Sequence, residues 1–394
     1  MKILHTCYTY APWRDGVAEI VRRLSEELAR RGHDVHVATG CVPGRPKQAV
    51  LNGVEIHRFD ISGNLITGLK GEVQKYRNLV STGNWDIVVN HCLQTWHTDA
   101  IVDDLTKYKW PTILVTQGLN LKAPRFRKYY ESVGPKLRAY YKWIRVSNIT
   151  EEASFASKFG LPVPEIITNG VDVQEFSRPA LGVRQLWGIG SAPWLVNVSN
   201  HYGNHHKNHR MFFKFASSLG SSLRAECCLI GDPYPMGRWK LGALGISGGC
   251  FYECLLRSVA SRTVELVRSA PRELVVSSIQ EADLIISTSR WEANSVVLLE
   301  SMAAGTPWIS TDVGSARENA GGVVVSTLQE MVAAAARLLT DPVLRQRLGE
   351  EGRARAVAKH DWRKVAAQYE ELYLGAARSY TAAGEFRQSS YANS

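Results

Sequence analysis

The chain has 394 residues, 45% hydrophobic and 21% charged, with a formal net charge of +10. That length exceeds one ordinary core and calls for two domains of roughly 100–200 residues each. No window reaches the roughly 18 uncharged apolar residues of a spanning helix, and His5, Tyr8, Tyr10 and Pro12 break "MKILHTCYTYAPW" before it could serve as a signal-peptide core. A cytoplasmic protein is expected, and seven scattered cysteines without a CxxC pair (Cys7, Cys41, Cys92, Cys227, Cys228, Cys250, Cys254) suit a reducing compartment.

"KILHTC" reads as a short buried strand, "YTYAPWRDG" as a loop, and Val17, Ile20, Val21, Leu24 and Leu28 as one face of a helix that Gly32 stops. "DVHVAT" follows as a strand, which completes a βαβ unit and predicts a parallel sheet. "WDIVVNH" and "TILVTQG" extend this pattern through a first α/β domain over 1–175. A less patterned stretch, 176–190, reads as a linker. "WLVNVSN", "ECCLIGD", "TVELVRS", "DLIIST" and "TPWIST" restart the strand pattern in a second α/β domain over 191–360. A helix over 361–378 and a small, polar, flexible tail over 379–394 follow.

The chemistry concentrates in "STSRWEANSVVLLESMAAGTPW", where seven residues separate Glu292 from Glu300. "DLIIS" fits a strand buried on both faces, and its carboxyl end is where open α/β sheets bind ligands. Asn294 or Ser295 suits the N-cap of the following helix, Gly305 its left-handed stop, and Pro307 lies just beyond. Glu292 therefore precedes the helix and Glu300 lies inside it, about 80° around the axis on ideal geometry. Between them the free N–H groups of the helix start form a receptor for phosphate. A diphosphate flanked by two hydroxyl-rich rings would use all three features. The competing reading pairs Glu300 with an arginine such as Arg290 or Arg317 and leaves Glu292 solvated.

Other clusters have two readings each. His205 and His209 have the i,i+4 spacing of a metal pair, but with His201 and His206 they also fit a basic, phosphate-facing loop, which is the preferred reading. His91 and His97 follow "DIVVN" and could line an acceptor site or be structural. Lys107 to Arg145 holds ten basic residues against one acidic residue, Glu131. Within it, Lys122–Arg145 interleaves them with Phe126, Tyr129, Tyr130, Tyr140, Tyr141 and Trp143, as expected either for contact with an anionic membrane or for aromatics that fill a core. No nucleic-acid module accompanies the charge, and no GxGxxG follows the first strand, which argues against a nicotinamide dehydrogenase.

The Glu-seven residues-Glu element followed by "SMAAGTP" resembles the signature of the GT-B retaining glycosyltransferases of family four. The N-terminal "YTYAPWRDGVAEIVRRLSEELARRGHDVHVAT", the "EIITNGVDVQEF" element and "LVNVSNHYGNHHKNH" extend the resemblance over nearly the whole chain. It implies two Rossmann-like domains facing across a cleft, with C-terminal helices packing back on the N-terminal domain. It further implies a nucleotide diphosphate sugar as donor, a glycan or lipid-linked acceptor at the inner membrane face, and no metal or other cofactor. By this resemblance Glu292 would bind the transferred sugar, Glu300 the ribose and Lys207 the diphosphate. Gly16 would approach the phosphate through its backbone, and Asn200, Asn294, Ser295 and Val296 would line the donor site.

The chain departs from the family pattern at three places. Ser199-Asn200 stands where Gly-Arg is usual, which leaves the second phosphate cation to Arg210, His201 or His205. Gln117 stands where a histidine is usual, and an amide cannot take a proton. Ala293-Asn294-Ser295 replaces Gly-Phe-Gly. A nucleotide-sugar epimerase or hydrolase on the same scaffold, and a non-catalytic membrane-docking protein, are the competing functions.

Overall fold

A computed structural model describes residues 1–13, 15–121, 123–201, 205–219, 223–232, 254, 258–259, 264–268 and 270–392; of Arg125, Asn200, His201, His205, Asp232, Arg268 and 381–392 it describes the backbone alone. The chain forms two compact units, Met1–Asn169 with Trp362–Ser394, and Gly170–Asp361.

The first unit is built on an eight-stranded sheet. Its strands are β1 (Lys2–Thr6), β2 (Asp34–Gly40), β3 (Gln48–Leu51), β4 (Val54–Phe59), β7 (Ile87–His91), β8 (Thr112–Val115), β9 (Lys142–Arg145) and β10 (Glu165–Ile166), while β5 (Ile61–Asn64) and β6 (Gly68–Gly71) form a separate hairpin. The order is β10-β9-β8-β7-β1-β2-β4-β3, parallel except for the β3–β4 pair. Runs such as Ile87–His91, buried at every position, are what a sheet covered on both faces requires. The helix Gly16–Arg30 starts on Asp15, whose carboxylate accepts the Ala18 N–H at 2.9 Å, and buries Ile20, Val21, Leu24 and Leu28.

The second unit holds a fully parallel sheet of order β13-β12-β11-β14-β15-β16, from β11 (Trp194–His201), β12 (Glu226–Asp232), β13 (Glu265–Arg268), β14 (Leu284–Ser287), β15 (Trp308–Thr311) and β16 (Gly322–Val325). The strand order reverses between β11 and β14, so the loops leaving their carboxyl ends diverge and open a crevice there.

Three organisational expectations are corrected. Residues 176–190 are no linker: Phe176, Val183 and Ile189 are buried in the second core with Leu298 and Met302. Their elements are too short to show periodicity, a three-residue 3-10 turn at Glu175–Ser177 and a four-residue helix at Val183–Leu186. The unit boundary falls at Asn169/Gly170 instead of residue 175. The terminal helix runs from Trp362 to Ala392, so 379–392 continue a helix where a tail was expected. It packs on the first unit through buried Val365, Ala366, Tyr369, Tyr373 and Ala376, and Glu370 accepts from Arg31 at 2.9 Å and lies 2.7 Å from His33 Nε2.

Candidate active site

At the β11/β14 switch point two loops are laced together. Thr288 Oγ1 donates to the Lys207 carbonyl at 3.0 Å, and the Arg290 N–H donates to the His206 carbonyl at 2.6 Å. Across this seam Lys207 Nζ donates to Glu292 Oε1 at 2.5 Å, and Ser289 Oγ donates to the same oxygen at 2.7 Å. Thr311 Oγ1 at the end of β15 holds the Ser289 carbonyl at 2.5 Å, and the Ser315 N–H holds the Ala293 carbonyl at 2.9 Å. Three strand ends thus fix the Ser289–Ala293 loop, and with it the Glu292 carboxylate.

Ser295 is the N-cap of the helix Val296–Ala304 and its side chain makes no capping bond, while Gly305 (φ 75°) ends the helix. The first helical N–H groups, from Val296 on, have no partner within the helix and carry partial positive charge. Asn294 and Ser295 are buried beside them. Glu300, one turn in, is buried and pairs with Arg272 Nη1 at 2.7 Å; Arg272 also holds Glu175 at 2.8 Å and lies over the Phe176 ring. An arginine partner for Glu300 was anticipated, but its identity differs: Arg272 fills that place, whereas Arg317 pairs with Asp312.

In the first unit the corresponding strand ends carry His91 and Gln117. His91 is fully buried, its ring lies 5.1 Å from that of His5, and neither ring nitrogen makes a hydrogen bond among the described residues. Burial pushes its pKa down to about 3, so the ring is neutral near pH 7. Gln117 sits in the left-handed region (φ 52°), as do Cys92 (φ 74°) and Gln94 (φ 66°), and the Gln117 amide nitrogen is buried without a partner among the described residues. Strained backbone and unsatisfied buried polar atoms at strand ends are features that fold stability alone does not favour. Tyr129 and Tyr130 brace these loops: the Tyr129 hydroxyl accepts the Gln94 N–H at 2.7 Å and donates to Asp99, and the Tyr130 hydroxyl accepts the Asn120 N–H at 3.1 Å. His97 is structural in its contacts, bonded to Thr6 and Thr95.

Comparison with known proteins identifies the family. Residues 14–175 match the model described as Glycosyltransferase Family 4, and residues 202–355 match Glycosyl transferases group 1. A Mycobacterium tuberculosis protein named glycogen synthase is 31% identical over 96% of this chain and 95% of its own. This chain is a group 1 glycosyltransferase. Its fold is GT-B: sucrose-phosphate synthase from Thermosynechococcus elongatus superposes with a TM-score of 0.79 at 17% identity, covering 97% of this chain and 99% of that one. Anabaena HepE, solved in complex with UDP, superposes with a TM-score of 0.71 at 15% identity, over 95% and 100% of the two chains.

In this glycosyltransferase the structure brings Lys207, Glu292, Asn294, Ser295, Val296 and the buried Glu300 to one end of the second sheet. Asn200 belongs to β11, and only its backbone is described. Gly16 lies in the first unit at the start of its helix, where an added Cβ would meet nothing within 4 Å, so local packing does not demand a glycine. His209 turns into the core, 3.8 Å from Cys254 Sγ, and so does not form an open i,i+4 metal pair with His205. Arg210 is exposed in the first turn of the helix His209–Ser218. Cys250 lies outside the described residues, and the other six cysteines form no disulfide.

The Lys122–Arg145 stretch is corrected in part. Tyr129, Tyr130, Tyr140 and Trp143 are buried in the first core, and Lys142–Arg145 is the sheet strand β9. Lys136 pairs with Asp103, Lys142 with Glu165, and Arg127 with Glu131. Lys122 lies outside the described residues. These four aromatics are therefore core, whereas Phe126 is half-buried against it and Tyr141 is half-buried against Tyr380. Among the described residues no helix is long and apolar enough to cross a membrane.

Sequence reading missed Ser289, Thr311, Arg272 and Gly314. Gly314 has φ 51°, and a Cβ there would lie 2.5 Å from the carbonyl oxygens of Glu292 and Ala293. Gly314→Ala must therefore push the Glu292 loop away or strain the backbone, at a cost of roughly 2–4 kcal/mol. Thermal unfolding of G314A is expected at a clearly lower temperature, with weakened catalysis in whatever folded fraction remains.

Burial also sets a pH dependence. His91 and His97 are both pushed down to about 3 and His5 is lowered, all mainly by desolvation. Unfolded, each takes a proton near 6.5, so the unfolded chain binds more protons below that pH and stability falls as pH drops from 6.5. Asp99, raised to about 6 by burial, acts oppositely, since its contribution is present below its ordinary 3.8 and lost as pH rises through 6. His57 is lowered as well, again mainly by desolvation, and four histidines against one carboxyl leave a net loss on acidification, roughly 1.4 kcal/mol per pH unit for each uncompensated proton. Urea midpoints followed by tryptophan fluorescence are expected to fall between pH 6.5 and 5; a flat profile would contradict this.

Proposed function

We propose that this glycosyltransferase moves a sugar, with retention of anomeric configuration, from a UDP- or GDP-sugar to a glycan or lipid-linked acceptor in cell-surface polysaccharide or lipopolysaccharide synthesis. The reading rests on one observation above others: the 2.5 Å Lys207–Glu292 pair, fixed at a strand-order reversal beside an open helix start. The lysine ammonium has three donors, so it can keep the carboxylate and still meet a diphosphate oxygen. Glu292 then faces the sugar hydroxyls, and the N–H groups from Val296 receive phosphate. Glu300 is assigned to the ribose, sharing its remaining lone pairs with Arg272.

Charge stabilisation of the leaving diphosphate supplies the catalysis, and no metal step is invoked. Gln117 cannot accept a proton, and the acceptor hydroxyl passes its proton to a donor phosphate oxygen. His91 and Gln117 serve on the acceptor side, where their unsatisfied polar atoms are free to meet a hydroxyl. The UDP complex of HepE and the name glycogen synthase support a nucleotide donor and a glycan acceptor. Contact with the inner membrane face is electrostatic, through exposed basic groups such as Lys128, and weakens with salt.

The test is nucleotide release from a panel of nucleotide sugars with and without an acceptor extract. Release that depends strongly on acceptor is expected. Equal release without acceptor would indicate a hydrolase, and absence of turnover and of nucleotide binding would indicate a non-catalytic docking protein.

A further inference from the structure

Away from the donor site, at the amino-terminal side of the first sheet, β2 and β4 run parallel with His36 opposite Glu55 and Ala38 opposite His57. Side-chain alternation puts Glu55 and His57 on one face of β4, and the register brings His36 to the same place. His36 Nδ1 is hydrogen-bonded to His57 Nε2 at 3.0 Å, and the Glu55 carboxylate places Oε2 3.5 Å from the first nitrogen and Oε1 3.4 Å from the second. A tetrahedral zinc ion with ordinary nitrogen and oxygen bond lengths separates its ligand atoms by about 3.3–3.5 Å, and one ligand atom from each of the three side chains lies within 4.8 Å of the others, so small side-chain shifts bring the three donors onto one face of such a tetrahedron.

The surroundings fit. Both imidazoles are buried, and the Trp85 ring packs edge-on against His36 at 4.9 Å. Asp34 Oδ1 lies 3.1 Å from His36 Nε2, which makes no hydrogen bond among the described residues, so the carboxylate adds negative charge beside the ring. Glu55 is half exposed, which leaves a route in for an ion. Lys2, whose ammonium sits 4.9 Å from the Trp85 ring centre, is the opposing charge nearby. Among the described residues no other group of three histidine, cysteine or carboxylate side chains is arranged this way.

We infer that His36, His57 and Glu55 form a site for a divalent transition metal of the zinc class, with water completing the shell, which ties β4 to β2. Nitrogen and carboxylate donors in this ratio select zinc or cobalt over magnesium or calcium. The site is separate from sugar transfer, whose residues lie on other strand ends.

Cobalt(II) chloride titrated into the metal-free full chain is expected to give the intense visible bands of tetrahedral cobalt at one equivalent, quenched by zinc chloride. Glu55→Ala, at a half-exposed position where folding should persist, is expected to weaken binding roughly 10–100-fold, and His57→Gln to abolish the bands. No spectrum in the wild-type chain would overturn the proposal. So would equal cobalt affinity in the wild type and E55A, because the ion would then be held without the Glu55 carboxylate.

Discussion

Glu292→Ala is expected to lower turnover by roughly a thousandfold while leaving nucleotide affinity little changed, the pattern for a group that acts mainly in the transition state. Two donors converge on Glu292 Oε1, Lys207 Nζ and Ser289 Oγ, and three strand ends hold the loop that carries it. On the proposed roles, its removal takes away the acceptor for the sugar hydroxyls and leaves Lys207 for the diphosphate. The pair is partly exposed, so the loss in stability should not exceed about 1 kcal/mol. Steady-state kinetics beside calorimetric UDP and GDP titrations check this; wild-type turnover in E292A would overturn the assignment.

Glu300→Ala acts differently. It is expected to weaken nucleotide binding roughly 10–100-fold, the loss of a hydrogen bond to a charged group. The Arg272–Glu175 pair stays in place, so the destabilisation is roughly 1–3 kcal/mol, below that of an isolated buried pair. Glu175→Ala separates the two effects, because it disturbs the same arginine without touching the carboxylate proposed to bind the ribose. That variant should melt earlier yet bind nucleotide normally. Equal affinity in wild type and E300A, with only a lower melting temperature, would reduce Glu300 to a structural ion pair.

Much of this architecture was legible from the chain alone. Nine strands were visible as short apolar runs bounded by turn residues, and the helix from Val296 showed its N-cap region and its Gly305 stop. Strand β9 was hidden because "KWIR" sits among alternating basic and aromatic residues whose rings face inward, which period alone cannot separate from a helical face. Arg272 escaped because its tie to Glu300 joins two helices 28 positions apart, and Gly314 because only a close backbone approach marks it. The His36–Glu55–His57 triangle depended on the register of a parallel pair, which local pattern does not determine.

A nucleotide-sugar site gripped by Lys207, Glu292 and Glu300 is what we propose for the second unit. Calorimetric titration of the wild-type chain with UDP and with GDP, each carried to millimolar concentration, tests it most directly. Saturable one-to-one binding of at least one nucleotide, lost or strongly weakened in Glu300→Ala, is the predicted result; no heat of binding with either would contradict the account.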